Sequence, residues 1–382
     1  MPEPGFLPRE RVLAAMRLER PDRVPVMCQM SIGHMLQQLP VLPHKLWFDA
    51  GTFARGLVQL CELYRFDGIL VSLHGHSQDW RDDLVSLRQE GGTEILTFHD
   101  REMSFPPDDL PNVRYSVPRR IPSIQESDPA DIPDEIDYIP VSQDLYFHLD
   151  LENKFKVFKL IHEMVGETLS IHGEITSPFD YLLDYIGHEN ALMALMLDPD
   201  KCKALLQRFT DGITVLSSEM CELPIDAVKI SSPFAGMGFI SPTFYSDFVV
   251  PYEEQIIKAV QDTGRHAYLH TCGAINDRLE IMGETGVSGL ECLDPPPLGN
   301  VELETAVDRI GHSLFIKGNI DSVNTLLHGS DDEVLADVKR RIEIGKRGRG
   351  FILSTACSIA PHVNRERVQM LVELAEQYGY HE

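Results

Sequence analysis

The 382-residue chain is predicted to fold as a (β/α)8 TIM barrel, an α/β fold, and two features of the sequence carry this prediction. Short apolar runs recur along the chain and end in glycine, serine, histidine or asparagine. Amphipathic stretches with helical spacing follow most of these runs. Continuous apolar strands that alternate with helices indicate a parallel sheet, and eight such units indicate a barrel.

Eight runs have the length and composition of buried strands. They cover residues 24–30, 68–73, 168–173, 226–230, 265–269, 288–293, 314–318 and 350–353. Amphipathic helices are predicted for residues 199–220, 241–262, 276–285, 301–310, 330–346 and 364–378. We therefore expect residues 1–382 to form a single barrel domain.

Residues 77–150 interrupt this alternation. The stretch is rich in aspartate, proline and alternating polar residues, as at positions 93–98. It is predicted to be an insertion after the second strand, with a β-hairpin followed by a helix-bearing linker. Near the barrel mouth, such an insertion would form a wall or lid over the site, and the alternative is a surface excursion without a role.

The composition restricts the classes of partner. Hydrophobic residues make up 43% of the chain, which is enough for a large core. A net charge of −25 argues against binding to nucleic acid or to an anionic membrane surface. The simplest reason for the charge is solubility in a bacterial-type cytoplasm.

Cysteine usage and the apolar pattern indicate the compartment. The seven cysteines are spread along the chain and are odd in number, unlike a disulfide framework, so a reducing environment is expected. The first residues lack a signal-peptide pattern, and no apolar run approaches the roughly 18–20 residues of a membrane span. We expect a soluble, cytoplasmic protein.

The most informative motif is His270-Thr271-Cys272-Gly273, together with Cys357 far downstream. Each half follows a predicted strand, and residues i and i+2 of a strand point to the same face, so His270 and Cys272 can converge on one ion. One imidazole and two thiolates suit Zn²⁺ and leave a fourth position open, as in catalytic zinc sites. Active sites of such barrels lie at these strand ends.

Two carboxylates at other strand ends are candidate catalytic residues. Glu174 follows His172-Gly173 and is a candidate general acid, zinc ligand or partner of a ligand, or else a helix-terminal carboxylate. Asp294 precedes three consecutive prolines, and it either orients substrate or caps a loop.

Three further polar residues are candidates for binding a cofactor. Asn319, close to Asp321, either hydrogen-bonds a ligand or stabilises a turn. His74 and His76 form a rival metal site at i and i+2, but substrate contact or an ordinary loop role is favoured because no partner ligand is evident. The other cysteines are interpreted as packing residues: Cys28, Cys61, Cys202, Cys221 and Cys292.

The chain resembles the uroporphyrinogen decarboxylase superfamily, and in particular its zinc-containing, corrinoid-linked methyltransferase branch. That branch includes methylcobamide:coenzyme M methyltransferases and O-demethylase methyltransferases. The resemblance covers most of the chain outside residues 77–150, and its carriers are residues 9–16, 21–25, 241–242, 251–252, 270–273, 318–321 and 357. It implies that His270, Cys272 and Cys357 correspond to the zinc ligands of the family.

The decarboxylase branch is less similar to the chain. Its members use an arginine-bearing segment after the first strand, whereas residues 27–34 here contain no arginine. Because arginine is the side chain suited to bidentate carboxylate recognition, its absence argues against a porphyrinogen with eight carboxylates.

The resemblance implies an enzyme that moves a methyl group between a small substrate and the cobalt of a corrinoid. The substrate is a thiol acceptor or a methylated donor such as a methyl ether. No D-x-H-x-x-G motif is present, so the corrinoid is expected on a partner protein or free. The alternatives are a decarboxylase or lyase for a smaller acid, and a non-catalytic zinc or corrinoid-binding protein whose fourth zinc position is closed by Glu174 or Asp294.

Overall fold

The computed structural model describes residues 6–72, 79–142 and 145–381. The strands of these residues are β1 (Gly68–Val71), β2 (Leu84–Glu90), β3 (Thr93–Phe98), β4 (Arg101–Phe105), β5 (Asn112–Tyr115), β6 (Tyr138–Ser142), β7 (Leu145–His148), β8 (Ser170–Thr176), β9 (Ala227–Ser231), β10 (His266–Thr271), β11 (Gly289–Cys292), β12 (Phe315–Ile320) and β13 (Phe351–Thr355).

The helices of the described residues are α1 (Pro8–Met16), α2 (Ile32–Gln38), α3 (Pro43–Phe48), α4 (Ala50–Tyr64), α5 (Lys156–Val165), α6 (Pro178–Ile186), α7 (His188–Leu197), α8 (Pro199–Cys221), α9 (Pro242–Phe248), α10 (Val250–Asp262), α11 (Leu279–Glu284), α12 (Leu303–Ile310), α13 (Asp331–Gly345) and α14 (Arg365–Tyr378). None of them combines the length and apolar composition needed to cross a membrane.

Seven parallel strands form one curled sheet in the order β1-β8-β9-β10-β11-β12-β13. The strands are buried on both faces, which explains why they read as continuous apolar runs. The predicted α/β barrel is confirmed, and seven of the eight predicted strands lie at the predicted positions.

The first predicted strand, residues 24–30, is an extended segment without a regular ladder. Its backbone nevertheless closes the barrel: Val26 forms an isolated parallel bridge to Leu353 of β13, and the Val26 carbonyl accepts a hydrogen bond from the Asp67 amide at 2.8 Å. Pro25 accepts from the Leu353 amide but has no amide hydrogen to donate, so a continuous ladder cannot form.

The predicted helix over residues 241–262 is two helices, α9 and α10. They are separated at Val249, whose φ and ψ of −120° and −57° are not those of an α-helix. Pro251 explains the break, because proline cannot donate the hydrogen bond that would continue α9.

The insertion is more β-rich than the sequence indicates. Instead of one hairpin and a helix-bearing linker, it has the antiparallel sheet β2-β3-β4-β5, a single 3₁₀ turn at Pro129–Asp131, and the hairpin β6-β7. Because proline has no amide hydrogen, the prolines at 129, 133 and 140 interrupt the run of consecutive amide donors that a helix requires.

The loop between β4 and β5 contacts segments that follow the carboxyl ends of barrel strands. Gln37 donates to the Pro107 carbonyl at 3.1 Å, and His362 lies 3.1 Å from the Asp108 carboxylate. A Cβ on Gly33 would stand only 2.1 Å from the Asp108 carbonyl oxygen. The absence of a side chain at position 33 therefore allows the insertion to approach this rim.

A buried carboxylate ties the start of the chain to the barrel. Asp67, 1% exposed, accepts hydrogen bonds from Arg11 at 2.6 Å, from Arg23 at 2.9 Å and from the Val26 amide at 2.7 Å. Because Arg11 belongs to α1 and Val26 closes the barrel, one side chain holds helix, closing segment and β1 together.

Replacing Asp67 by alanine leaves two guanidinium groups without their buried partner, so we expect the free energy of unfolding to fall by about 3–5 kcal/mol. Urea denaturation measures this loss. The matched control is Glu376→Ala, which removes the exposed Arg65–Glu376 pair and is expected to cost less than about 1 kcal/mol. Equal losses in the two variants would contradict the closing role of Asp67.

Candidate metal centre

Four side chains from three barrel strands converge at one end of the sheet. The imidazole of His270 and the sulfurs of Cys272, Cys292 and Cys357 all lie within 4.8 Å of one another. His270 Nε2 is 3.2 Å from Cys272 Sγ, which is 3.3 Å from Cys357 Sγ. Cys292 Sγ lies 4.0 Å from Cys357 Sγ. The structure thus brings the three predicted ligands together and adds a fourth sulfur.

Local backbone geometry explains this convergence. His270 and Cys272 share a face at the end of β10, and Thr271 between them pairs with Cys292 of β11. Cys292 and Leu293 have φ values of +81° and +54°, which non-glycine residues adopt rarely. This turn ends β11 beside the other donors.

Cys292, interpreted from the sequence as a packing residue, has a second feature besides its burial. It is fully buried, as that interpretation requires, but its sulfur belongs to the cluster, whereas Cys272 and Cys357 are partly exposed. All seven cysteines are free thiols. An imidazole and thiols this close together form a donor set for a metal ion that prefers nitrogen and sulfur ligands.

A buried carboxylate fixes the orientation of the histidine. Glu291, on β11 directly beside His270, lies 2.9 Å from His270 Nδ1 through its Oε2 atom. With Nδ1 donating to this carboxylate, Nε2 is left as the nitrogen that faces the sulfurs. Histidine ligands in metal sites are commonly oriented in this way.

Two buried lysines neutralise this carboxylate. Lys317 pairs with Glu291 Oε1, and Lys229 Nζ lies 3.3 Å from its Oε2. Burial acts to raise the pKa of Glu291, but Lys229 and Lys317 outweigh it and hold that pKa well below its usual range. Glu291 therefore stays an anion and can accept from His270.

The two predicted catalytic carboxylates have different surroundings. Glu174 lies outside the cluster, 2.8 Å from Lys229 Nζ, and Lys229 also donates to Gln29. Asp294 lies next to the cluster, where its carboxylate accepts from the Gly273 amide at 2.7 Å. Burial, and then the charge of Cys357, raise the pKa of Asp294.

The other predicted binding residues do not join the cluster. Asn319 is fully buried; its amide donates to the Leu293 carbonyl at 2.7 Å and its oxygen accepts from Arg341. It therefore supports the turn after β11 rather than facing an open site. Asp321 accepts from the Val323 and Asn324 amides, as the turn alternative requires. His74 and His76 lie outside the described residues.

Four residues of this region were not among the residues predicted for the site: Lys229, Glu291, Cys292 and Lys317. Three of them are charged residues within apolar strands, as in Val228-Lys229-Ile230 and Leu290-Glu291-Cys292. Because charges are costly to bury unless they are paired, such positions indicate a network inside the barrel. That signal was available in the sequence.

Residues 232–240, here called the rim loop, connect the cluster to two buried acids, Asp180 and Glu253. The Ser232 amide donates to the His270 carbonyl at 2.8 Å, and the Ser232 hydroxyl lies 3.3 Å from Asp180 Oδ2. Glu253 accepts from Tyr245 at 3.1 Å. Among the described residues, Asp180 Oδ1 and Glu253 Oε1 have no hydrogen-bond partner.

Burial raises the pKa of both acids, to about 7 for Asp180 and about 8 for Glu253. Arg278, which is fully buried, holds the rim loop from the other side through the carbonyls of Ala235 and Ile240.

The family model named "Uroporphyrinogen decarboxylase (URO-D)" matches residues 113–378 of this chain. The methylcobamide:CoM methyltransferase MtbA of Methanosarcina acetivorans is 28% identical over 225 residues, which are 59% of this chain and 63% of that protein. The chain thus aligns with less than two thirds of this relative's length.

Two further relatives and one solved structure are similar. The methylcobamide:CoM methyltransferase MtaA of Methanosarcina barkeri is 25% identical over 70% of this chain and 74% of its own. The uroporphyrinogen decarboxylase of Crocosphaera subtropica is 24% identical over 58% and 62%. A methyltransferase structure from Methanosarcina mazei covers 98% of this chain and 99% of its own, with a TM-score of 0.71 and 21% identity, which shows a shared fold.

Replacing Glu291 by glutamine removes the anion that orients His270, so we expect metal affinity to fall about 10–100-fold. Competition with a chromophoric chelator measures the affinity. Glu174→Gln is the matched control, because Glu174 also contacts Lys229 but not His270. Unchanged affinity in Glu291→Gln would remove the orienting role.

The pKa of Glu253 predicts a pH dependence of stability. With a pKa near 4.5 in the unfolded chain and about 8 in the fold, the folded state binds the extra proton, so stability is lost as pH rises through this window. Glu253→Gln cannot lose that proton. Between about pH 5 and 9 the wild type should lose on the order of 4 kcal/mol relative to this variant.

Urea denaturation at several pH values measures the difference between wild type and Glu253→Gln. Glu254→Gln is the control, since Glu254 is the exposed neighbour on α10. Parallel stability curves for wild type and Glu253→Gln would show that Glu253 does not carry the buried proton.

Proposed function

Since the chain belongs to the uroporphyrinogen decarboxylase family, we propose that it is a zinc-dependent methyltransferase. It would move a methyl group between a small substrate and the cobalt of a corrinoid. The observation that carries the proposal is the cluster of His270, Cys272 and Cys357 at the carboxyl ends of barrel strands. The methyltransferase relatives, whose names specify methylcobamide and CoM, support it.

The geometry of the donors fits zinc. Sulfurs bound to a tetrahedral Zn²⁺ at about 2.3 Å lie roughly 3.7 Å apart. The Cys272–Cys357 and Cys292–Cys357 sulfur separations of 3.3 and 4.0 Å lie on either side of that value. Donation from His270 Nδ1 to Glu291 leaves Nε2 free for the ion.

Bound zinc would supply Lewis acidity, which either keeps a thiol substrate as a nucleophilic thiolate or polarises the oxygen of a methyl ether. Cys272 and Cys357 are anionic donors that favour the thiol, because their electron density weakens the attraction for a neutral ether oxygen. His270 is held by Glu291, and Glu291 by two lysines, so His270 would keep its orientation during turnover.

Asp294 is the better placed of the two candidate acids for proton transfer. Its carboxylate lies beside the cluster, and burial raises its pKa above the usual value. Glu174 instead accepts from Lys229 and stands away from the four donors. We therefore assign Asp294 to holding or moving a proton at the substrate and Glu174 to positioning Lys229.

The corrinoid is proposed to arrive on a partner protein at the carboxyl-end face of the barrel, with the insertion as one wall of the mouth. The contact of Asp108 with His362 supports this placement of the insertion. A reducing cytoplasm is the proposed compartment, because thiol ligands must stay reduced and all seven cysteines are free.

Cys292 favours a second candidate function, a non-catalytic zinc protein. Four protein ligands would close the coordination sphere, as in structural zinc sites. The closing residue would then be Cys292, rather than Glu174 or Asp294 as the sequence indicates. In the catalytic alternative, Cys292 would leave a coordination position open for substrate.

The central prediction concerns Cys357→Ser. We expect about one zinc per chain in the wild type, and loss of most of it in the variant, because one of the anionic donors is removed. Methyl transfer between methylcobalamin and a panel of thiols should be lost with the metal. Cys61→Ser, a buried cysteine outside the cluster, is the control and should retain both. A wild type free of zinc would favour the decarboxylase alternative.

Cys292→Ser separates the two zinc functions. In cobalt-substituted protein, sulfur-to-metal charge-transfer absorption should fall by about one third if three thiolates bind in the resting state. A catalytic site keeps its metal and its methyl transfer in this variant, whereas a closed site loses metal and shows no transfer even in the wild type.

A further inference from the structure

Two adjoining cavities lie between the insertion and the barrel helices. None of the four donors of the cluster is among the residues that line them. The larger has a volume of about 490 Å³ and the smaller about 180 Å³. They share Arg101, Tyr115, Tyr146 and His148. The larger one has the size of a small-molecule site, which commonly spans roughly 300–1,000 Å³.

The walls of the larger cavity are aromatic. Tyr138 and Tyr146 of the β6-β7 hairpin meet edge to face, with ring centroids 5.5 Å apart. On the helical side, Tyr185 and Phe209 pack edge to face at 5.8 Å. Ring faces carry partial negative charge, so a cavity lined by such rings suits a cation.

The two arginines at this cavity are already matched by carboxylates. Arg119 lies over the ring of Tyr146 and binds the Asp184 carboxylate at 3.1 Å, and that carboxylate also accepts from the Tyr146 hydroxyl. Arg101 binds Asp100 at 2.8 Å and lies over Phe98. Neither guanidinium is left to attract an anion.

Two carboxylates other than those that bind the arginines line the larger cavity. Asp131 and Asp137 both line the larger cavity, and no side-chain hydrogen bond or ion pair to either carboxylate occurs within residues 6–72, 79–142 and 145–381. Burial and the nearby Arg101 lower the pKa of His148, so this residue adds no positive charge near neutral pH. The lining therefore carries net negative charge beside the aromatic rings, at two carboxylates that are exposed to solvent.

We propose that this cavity binds a small organic cation of the quaternary-ammonium type, held between the aromatic walls and the carboxylates of Asp131 and Asp137. Such cations carry a diffuse charge on an apolar surface, which suits aromatic rings and costs little to desolvate. The site is distinct from the metal centre and does not depend on the proposed methyl transfer.

Calorimetry of the full, metal-loaded chain with choline tests the proposal. We expect saturable binding at ~1 mM or tighter, and at least about tenfold weaker binding of 3,3-dimethylbutan-1-ol, the neutral analogue of similar shape. Trp47 and Trp80, the two tryptophans of the chain, both line the smaller cavity. Choline should therefore also change the intrinsic fluorescence.

The double variant Asp131→Asn/Asp137→Asn should bind choline about tenfold more weakly, because it loses both unpaired charges. Asp247→Asn/Asp308→Asn changes the net charge equally at exposed positions outside the cavity and should bind like the wild type. Both pairs are conservative, and circular dichroism verifies their folding.

Three results would overturn the proposal: equal binding of the neutral alcohol, tighter binding of benzoate than of choline, or unchanged affinity in Asp131→Asn/Asp137→Asn. Cys357→Ser separates this site from the metal centre. It should bind choline normally even if it has lost its metal, so failure of one proposal leaves the other intact.

Discussion

The contact between Glu291 and His270, which are buried on neighbouring barrel strands, determines the geometry of the candidate metal centre. A carboxylate at this depth stays ionised only because Lys229 and Lys317 lie against it. Those lysines in turn are tolerated inside an apolar barrel only because Glu291 and Glu174 neutralise them. The network keeps His270 Nδ1 occupied, and so leaves its other nitrogen facing the sulfurs.

The barrel and three of the four donors of the candidate metal centre follow from local sequence patterns. Apolar runs buried on both faces identify the parallel strands, and strand ends identify His270, Cys272 and Cys357. Pro25 explains why the first run closes the barrel without a ladder. Cys292 could not be assigned in this way, because its place in the cluster depends on a turn in which two consecutive residues have positive φ. Neither of these residues is a glycine, so the sequence carries no sign of the turn.

The structure of the insertion, unlike that of the barrel, could be predicted only in small part from sequence patterns. Its strands are short and partly exposed, so alternation at positions 93–98 identifies one hairpin but not the sheet of four strands around it. The aromatic cavity is less visible still, since Tyr138, Tyr146 and Tyr185 come from separate elements. Cavities between an insertion and the body of a fold depend on packing, and periodicity carries no information about it.

Charge balance also bears on how Cys292 and a substrate would share a metal. Zinc with two thiolates and a neutral imidazole is formally neutral, and a third thiolate makes the centre a monoanion. A fourth would make it a dianion in a buried site whose two lysines are already matched by Glu174 and Glu291. Because uncompensated buried charge is costly, a substrate thiolate is favoured to replace Cys292 rather than to add to it. On this argument, a cysteine that closes the resting site is compatible with catalysis, provided that the turn at Cys292 and Leu293 lets its sulfur withdraw.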